Sequence, residues 1–191
     1  RDQSFFKKAL NNYQAALNVY QLCQDLRGIS EALRSAGMVY RHMGKHRDAL
    51  RQYKQALQVA RTASNVLLEG KILGNIGIVY KDQRKYKQAI SNLEQAIEIH
   101  QEMGNKRFEG ISMGNLANVY LDQGEHQQAV QTFRRTLKIH KDIGNKLGEA
   151  TILGNLGLLY QNQGKFSEAL RNYQDALSIH REVKDKRHEG I

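Results

Sequence analysis

The chain has 191 residues, of which 40% are hydrophobic and 25% are charged, as in a soluble protein that buries a core. It contains no proline and only short apolar runs, which favours long helices and excludes a membrane-spanning segment. Residues 1–14 lack the long apolar stretch of a secretory signal, and the one cysteine, Cys23, excludes an internal disulfide. These features predict a cytoplasmic protein in a reducing compartment, with Cys23 buried or half-buried on a helix.

The net charge of +10 is unevenly distributed along the chain. Residues 1–60 contain ten lysines and arginines against four aspartates and glutamates. Such an excess is compatible with a nucleic acid, an anionic membrane or an acidic protein as partner, and equally with a solvated helical surface.

Tyrosine recurs at forty-residue intervals, and an alanine follows each of these tyrosines nine residues later. The tyrosines are Tyr40, Tyr80, Tyr120 and Tyr160, and the alanines are Ala49, Ala89, Ala129 and Ala169. A fixed period of this size is the signature of stacked supersecondary units, which act through an extended surface more often than through a catalytic pocket.

Taken in chain order, the period predicts a lone second helix at residues 4–24, followed by four helix pairs. The pairs are residues 25–64, 65–104, 105–144 and 145–184, with 185–191 as the start of a further first helix and with helix boundaries near residues 44, 64, 84, 104, 124, 144 and 164. We therefore expect a window of a longer array, whose ends expose apolar faces and favour end-to-end self-association.

The pair at residues 105–144 shows why these units are helical. Its first half places apolar residues at the spacing of one helix face, namely Met113, Leu116, Ala117 and Tyr120. Gly124 and Gly144 are expected to end the two helices, and Asn145 to cap the next one, as do Asn65, Asn105 and Asp185 at the other boundaries. No segment alternates with period two, so the predicted fold class is all-α.

The repeated positions resemble those of the tetratricopeptide repeat. In the last unit the matching residues are Leu153, Leu156, Gly157 and Tyr160 in the first helix and Ala169, Tyr173 and Ala176 in the second. The forty-residue period is similar to that of Pins-type spindle-orientation adaptors and of bacterial tetratricopeptide proteins, and the family's usual proline is replaced by Arg61, Gln101, Lys141 and Arg181. The resemblance implies a right-handed superhelical solenoid of antiparallel helix pairs that acts as a non-catalytic protein-interaction scaffold without a cofactor.

The resemblance also implies a ligand groove lined by a second stripe on each first helix, about 130° around from the packing stripe. This stripe is basic and polar in the first two units and more apolar in the last two, which favours an extended, acidic peptide as the ligand. The stripe residues expected to contact the peptide are Arg34, Arg41, Lys71, Ile78, Lys81, Asn118 and Leu158.

Three asparagines, Asn75, Asn115 and Asn155, recur one place before a packing residue. Asparagine has poor helix propensity, so its repetition inside helices calls for a reason beyond the helix itself. The resemblance implies that these amides bind the ligand backbone, and the alternative is a hydrogen bond to the neighbouring repeat.

Catalytic and metal-binding functions are not expected. The histidines His100, His140 and His180 follow the period, and successive units are too far apart to share a metal ion. No nucleophile–base set or carboxylate pair stands outside the repeat pattern. Two alternatives remain open: a nucleic-acid-binding helical repeat, although the groove stripe offers no aromatic residue for base stacking, and the sensor or recruitment arm of a larger enzyme.

Overall fold

The computed structural model describes the backbone of residues 2–188 and the side chains of residues 4–184. This part of the chain folds into nine α-helices and contains no strand, which confirms the predicted all-α repeat array. The helices are α1 (Asp2–Leu22), α2 (Leu26–His42), α3 (His46–Thr62), α4 (Val66–Asp82), α5 (Tyr86–Glu102), α6 (Lys106–Asp122), α7 (His126–Asp142), α8 (Lys146–Asn162) and α9 (Phe166–His188).

The helices form two compact units, Arg1–Met103 and Gly104–Ile191, here called unit 1 and unit 2. In unit 1 each helix from α1 to α5 packs on the next, and α2 also contacts α4. In unit 2 each helix from α6 to α9 packs on the next, and α6 also contacts α8. We call α2, α4, α6 and α8 the first helices, and the other five the second helices.

The helix boundaries fall where the period predicts them. The backbone has a positive φ at each predicted boundary, on glycine at residues 44, 104, 124, 144 and 164 and on Ser64 and Arg84 at the other two. At the end of each first helix the tyrosine carbonyl accepts a hydrogen bond from the amide five residues later, as in Lys45 N–H to Tyr40 O at 2.9 Å. This bond satisfies a carbonyl that the helix itself leaves open.

Each first helix begins with a side-chain cap. Asn65, Asn105 and Asn145 accept a hydrogen bond from the backbone N–H three residues later, as predicted, and Asp25 does the same for α2. The predicted cap Asp185 lies outside the residues whose side chains are described. The second helices α3, α5 and α7 have no side-chain cap bond.

Two helices of a pair approach closely because a bulky residue of the second helix lies on a residue with a very small side chain in the first. A Cβ added at Gly37 would lie 2.7 Å from the ring of Tyr53, and one at Gly157 would lie 2.6 Å from the ring of Tyr173. Leu93 covers Gly77 in the same way, and Phe133 shares a buried cluster with Ala117. These glycines are therefore needed for close packing rather than for a special backbone conformation.

The residues at the missing proline position join one repeat to the next. Arg61 Nε lies 2.7 Å from Glu69 Oε1, and Lys141 Nζ lies 3.8 Å from Glu149 Oε1. In both cases the last turn of a second helix contacts the first turn of the following first helix. The second helices α3 and α7 thus continue past the position where a proline would end them, and each forms an ion pair with the next helix there.

The structure differs from the sequence predictions in two places. Cys23 is exposed in the turn after α1, because that helix ends at Leu22 and the residues of the turn face outward. Helix α9 continues to His188 without a turn at Lys184, where the repeat boundary and the start of a further first helix at 185–191 are predicted.

His140 lies between two first helices of unit 2. A Cβ added at Gly110 of α6 would lie 2.8 Å from its Cε1, and one at Gly148 of α8 would lie 2.7 Å from its Nδ1. Asn145 Nδ2 is 3.2 Å from the same Nδ1, and Glu149 of α8 is paired with Lys141 and Lys146. Burial lowers the pKa of His140 below its usual 6.5.

Replacement of Gly157 by leucine should destabilise the fold, because the new side chain would overlap the Tyr173 ring. We expect a loss of about 1–3 kcal/mol in the free energy of unfolding, measured by thermal or urea denaturation. Gly154 is the matched control, since an added Cβ there meets no atom within 4 Å. Gly154→Ala should be neutral or stabilising by up to about 1 kcal/mol. Equal stability of G157L and the wild type would show that the predicted packing register is wrong.

Acidification should weaken unit 2 through His140. Because the folded-state pKa is lowered, the contribution of this residue is complete above the unfolded pKa and is lost as the pH falls below about 6.5 towards the folded pKa. His140→Gln keeps a neutral hydrogen-bonding side chain, so its melting temperature should fall less than that of the wild type between about pH 7.5 and about pH 5. His180→Gln, at an exposed position, is the control and should behave as the wild type. A pH dependence unchanged by H140Q would contradict this assignment.

Candidate functional site

In unit 1 the predicted ligand residues occupy two first helices that contact each other. Arg34 and Arg41 lie on α2, and Lys71, Asn75, Ile78 and Lys81 lie on α4. All six are partly exposed, between the fully buried packing residues and open solvent. The structure thus brings these residues together on one face of unit 1, which we call the α2–α4 face.

The cations of the α2–α4 face are accompanied by acidic residues. Arg41 Nε donates to Asp82 Oδ2 at 2.7 Å, which links the last turns of α2 and α4. Asp82 Oδ1 is also 3.8 Å from Lys81 Nζ, and Arg34 Nε donates to Glu31 Oε2 at 2.8 Å. Two carboxylates therefore offset part of the positive charge that the sequence predicts here.

The hydroxyl end of Tyr53 belongs to the same region. The residue is only 1% exposed, and burial raises its pKa to about 12, an effect that Arg41 and Arg34 oppose and Asp82 reinforces. Tyr53 packs on Gly37 of α2, so its ring reaches through the helix pair towards the charged cluster. Its phenol stays protonated at neutral pH and can act only as a neutral hydrogen-bonding group.

In unit 2 the predicted residues lie on α6 and α8, which also contact each other. Asn115 and Asn118 are on α6, and Asn155 and Leu158 are on α8. The apolar side chains of this face are conspicuously exposed, with Ile111 at 43% and Leu158 at 45%. The α6–α8 face is therefore neutral, with amides and aliphatic side chains in reach of a ligand.

The repeated asparagines make no side-chain hydrogen bond within the described part of the protein. Asn75 Nδ2 is buried without a partner, and neither Asn115 nor Asn155 bonds to a neighbouring repeat there. Each residue is half-buried on a first helix. Buried amide groups are normally hydrogen-bonded, so the Asn75 Nδ2 donor is an exception to that rule.

A glycine one helical turn before Asn118 packs between two first helices. Gly114 of α6 is buried beneath Ile152 of α8, whose Cδ1 would lie 3.1 Å from an added Cβ. The same position in α8, Gly154, is open. Gly114 thus lies where α6 packs against α8, and the residues next to it on α6 are the ones that a ligand can contact.

Asp82 and the Tyr53 hydroxyl are the features of the site that sequence reasoning missed. Asp82 lies at the end of α4, one residue beyond the predicted stripe, and its partner Arg41 is 41 residues away. The sequence signal was present, since acidic or amide residues also stand at the equivalent positions, Asp122 and Asn162. Charge pairing across the ends of two helices required their spatial arrangement.

Outside these faces, no group of three or more histidine, cysteine, aspartate or glutamate side chains is placed to hold a metal ion in the described residues. Nor does any helix of that part have the length and apolarity to cross a membrane. A cavity of about 1020 Å³ lies between α1 and α2 and is lined by residues that include Leu10, Tyr13, Leu33 and Tyr40.

The folding pattern and the two exposed faces define a helical repeat protein. The family model of the tetratricopeptide repeat matches residues 1–62, 68–142 and 108–182. The chain therefore belongs to the tetratricopeptide repeat family, as its repeated residues indicate. A comparison with curated proteins found no match.

Solved structures share the fold at low sequence identity. BtubC (BKLC) from P. vanneervenii is 20% identical, with a TM-score of 0.80 over 95% of this chain and 76% of that one. A Rap protein complexed with the competence and sporulation factor is 18% identical, with a TM-score of 0.85 over 96% of this chain. The putative kinesin light chain repeats of Podosopora anserina are 14% identical, with a TM-score of 0.72 over 96% of this chain and 91% of that one. The present chain spans 52% of the Rap protein.

Proposed function

We propose that the protein is a non-catalytic interaction scaffold whose first helices bind an extended peptide of a partner protein. The observation that carries this proposal is that Asn75, Asn115 and Asn155, each on a first helix, make no side-chain hydrogen bond in the described structure. An extended peptide offers unpaired backbone N–H and C=O groups, which match the donor and acceptor of each amide.

The two faces would contribute different chemistry to such a complex. The α2–α4 face carries Arg34, Arg41, Lys71 and Lys81, together with the carboxylates Glu31 and Asp82, and so favours acidic side chains. The α6–α8 face presents Ile111 and Leu158, which favour apolar side chains beside the amides. Each face therefore favours a different kind of ligand side chain.

The fold comparison is compatible with this proposal. The Rap structure is described as a complex with the competence and sporulation factor, so a protein of this fold binds a partner of its own. That likeness shows the fold alone, and the proposal for the present chain rests on its own residues.

Two variants test the proposal on a partner peptide mapped by pull-down and measured by fluorescence anisotropy. Arg41→Glu with Lys81→Glu should weaken binding from several-fold to about a hundredfold, more strongly at low salt because screening is weaker there. Asn115→Ala should cost about 1–2 kcal/mol at any salt concentration, because a ligand amide loses its partner.

The matched control for the charge reversal is Arg47→Glu with Lys54→Glu on the outer face of α3. Both residues are exposed, and the net charge changes by the same amount. Loss of binding in this control, together with normal binding by the first-helix variants, would place the working surface on the second helices and refute the proposal.

End-to-end self-association is a further part of the proposal. Helix α9 exposes Leu170 at 58% and Leu177 at 49%, and its Phe166 is 70% exposed. Sedimentation velocity should show a concentration-dependent increase in mass that Leu170→Glu with Leu177→Glu abolishes, because charges there cannot enter an apolar contact. A monomer at all concentrations would exclude this self-association.

A further inference from the structure

Asp82 lies at the cationic end of the α2–α4 face, where its side chain is held by a contact between two helices. Its side chain is 21% exposed and that of Arg41 is 30% exposed, and their hydrogen bond joins two helices. We propose that Asp82 is an internal competitor that sets the charge selectivity of this face. This inference rests on the proposed function, since it names the residue that regulates which peptides the same face accepts.

The geometry of Arg41 leaves a site for a ligand beside Asp82. A guanidinium has five N–H donors, and Asp82 engages only Nε, so the outer Nη edge keeps donors for a second carboxylate. A ligand carboxylate on that edge would lie about 4–6 Å from the Asp82 carboxylate, and two like charges at that distance repel each other. A ligand therefore binds Arg41 against the repulsion of Asp82.

Another ion pair of the face joins Glu31 and Arg34, which are three residues apart on one helix. Glu31 therefore lowers the positive potential chiefly at that one cation. Asp82 also lies 3.8 Å from Lys81 Nζ, so it reduces the positive potential at two of the four cations. It is thus the acidic residue with the larger effect on an incoming anion.

The chain itself shows that the fold does not need a carboxylate at this position. The equivalent last residue of α8 is Asn162, and that of α2 is His42. A helix of the same length thus ends on an amide in another repeat of this protein. Asp82→Asn is therefore a substitution that the repeat already accommodates, and it removes the charge while keeping the shape.

The consequence is a threshold on ligand charge. A peptide with one isolated acidic residue gains Arg41 but meets Asp82, whereas a peptide with several acidic residues also reaches other cations of the face, such as Arg34. The α2–α4 face should accordingly select clustered carboxylates over single ones, and Asp82 should be the residue that enforces this selection.

The test uses two fluorescein-labelled, N-acetylated peptides of about eight residues, long enough for an extended segment on two helices. One alternates glutamate with alanine, and the other has glutamine in place of each glutamate. Anisotropy titrations at about 20 mM and about 150 mM salt compare the wild type with D82N. D82N should bind the glutamate peptide about three- to tenfold more tightly at the lower salt concentration, with no change for the glutamine peptide.

Asp48→Asn is the matched control, because it removes one carboxylate that pairs with Arg51 at 2.9 Å on α3. It should change the affinity for the glutamate peptide less than twofold. In an Arg41→Gln background, D82N should lose most of its effect, because the guanidinium for which Asp82 and the ligand compete is absent. Thermal melts of all variants verify that each is folded.

The outcomes separate this inference from the function on which it rests. Three outcomes overturn the role of Asp82: D82N binds the glutamate peptide no more tightly than the wild type does, D82N binds both peptides more tightly by the same factor, or D48N has the same effect as D82N. In each of these cases, binding of the glutamate peptide by the wild type still supports the proposed function. Binding of neither peptide by the wild type and by D82N overturns both. Binding of the glutamate peptide by D82N alone supports the inference, since Asp82 would then exclude the ligand completely.

Discussion

One packing contact determines the rest of the structure. In each helix pair a bulky side chain of the second helix lies on a glycine or alanine of the first helix. Tyr53 on Gly37 and Tyr173 on Gly157 are examples in which a single added carbon would collide with a ring. This contact fixes both the distance between the helices and the rotation of the first helix about its axis. Once that rotation is fixed, the residues on the opposite side of the helix must face outward.

The charges of the α2–α4 face follow from the same constraint. Because Gly37 is held against Tyr53, Arg41 one helical turn later is directed to the end of α4, where Asp82 is available. The hydroxyl of Tyr53 then lies near both arginines, which explains why they oppose the effect of burial on its pKa. Packing and electrostatics of this region therefore cannot be considered separately.

Local features of the fold could be predicted from the sequence, because their causes lie within a few residues. A glycine with positive φ at residue 124 and a cap at Asn145 need only their immediate neighbours, and both are found. The period also identifies Gly157 as a packing position, because the pattern of its neighbours repeats. Even Ser64 and Arg84, which lack the glycine, adopt the turn that the period requires.

Contacts between repeats were less accessible to prediction. A helical wheel shows which side of a helix Gly114 occupies, but the side chain that covers it, Ile152, comes from another first helix. The pairing of Arg41 with Asp82 likewise depends on how two helix ends meet. The sequence could thus indicate the positively charged face, and only the spatial arrangement reveals its internal counterions.

The separation of packing and exposed stripes on the first helices has an evolutionary consequence. Asn118 and Leu158 lie on the outward side, while Leu116 and Leu156 lie in the core. A mutation in the outward stripe changes the chemistry that one repeat presents and leaves its contacts with the second helix intact. A forty-residue copy can therefore change the chemistry of its outward stripe after duplication without disturbing the packing of its own helix pair.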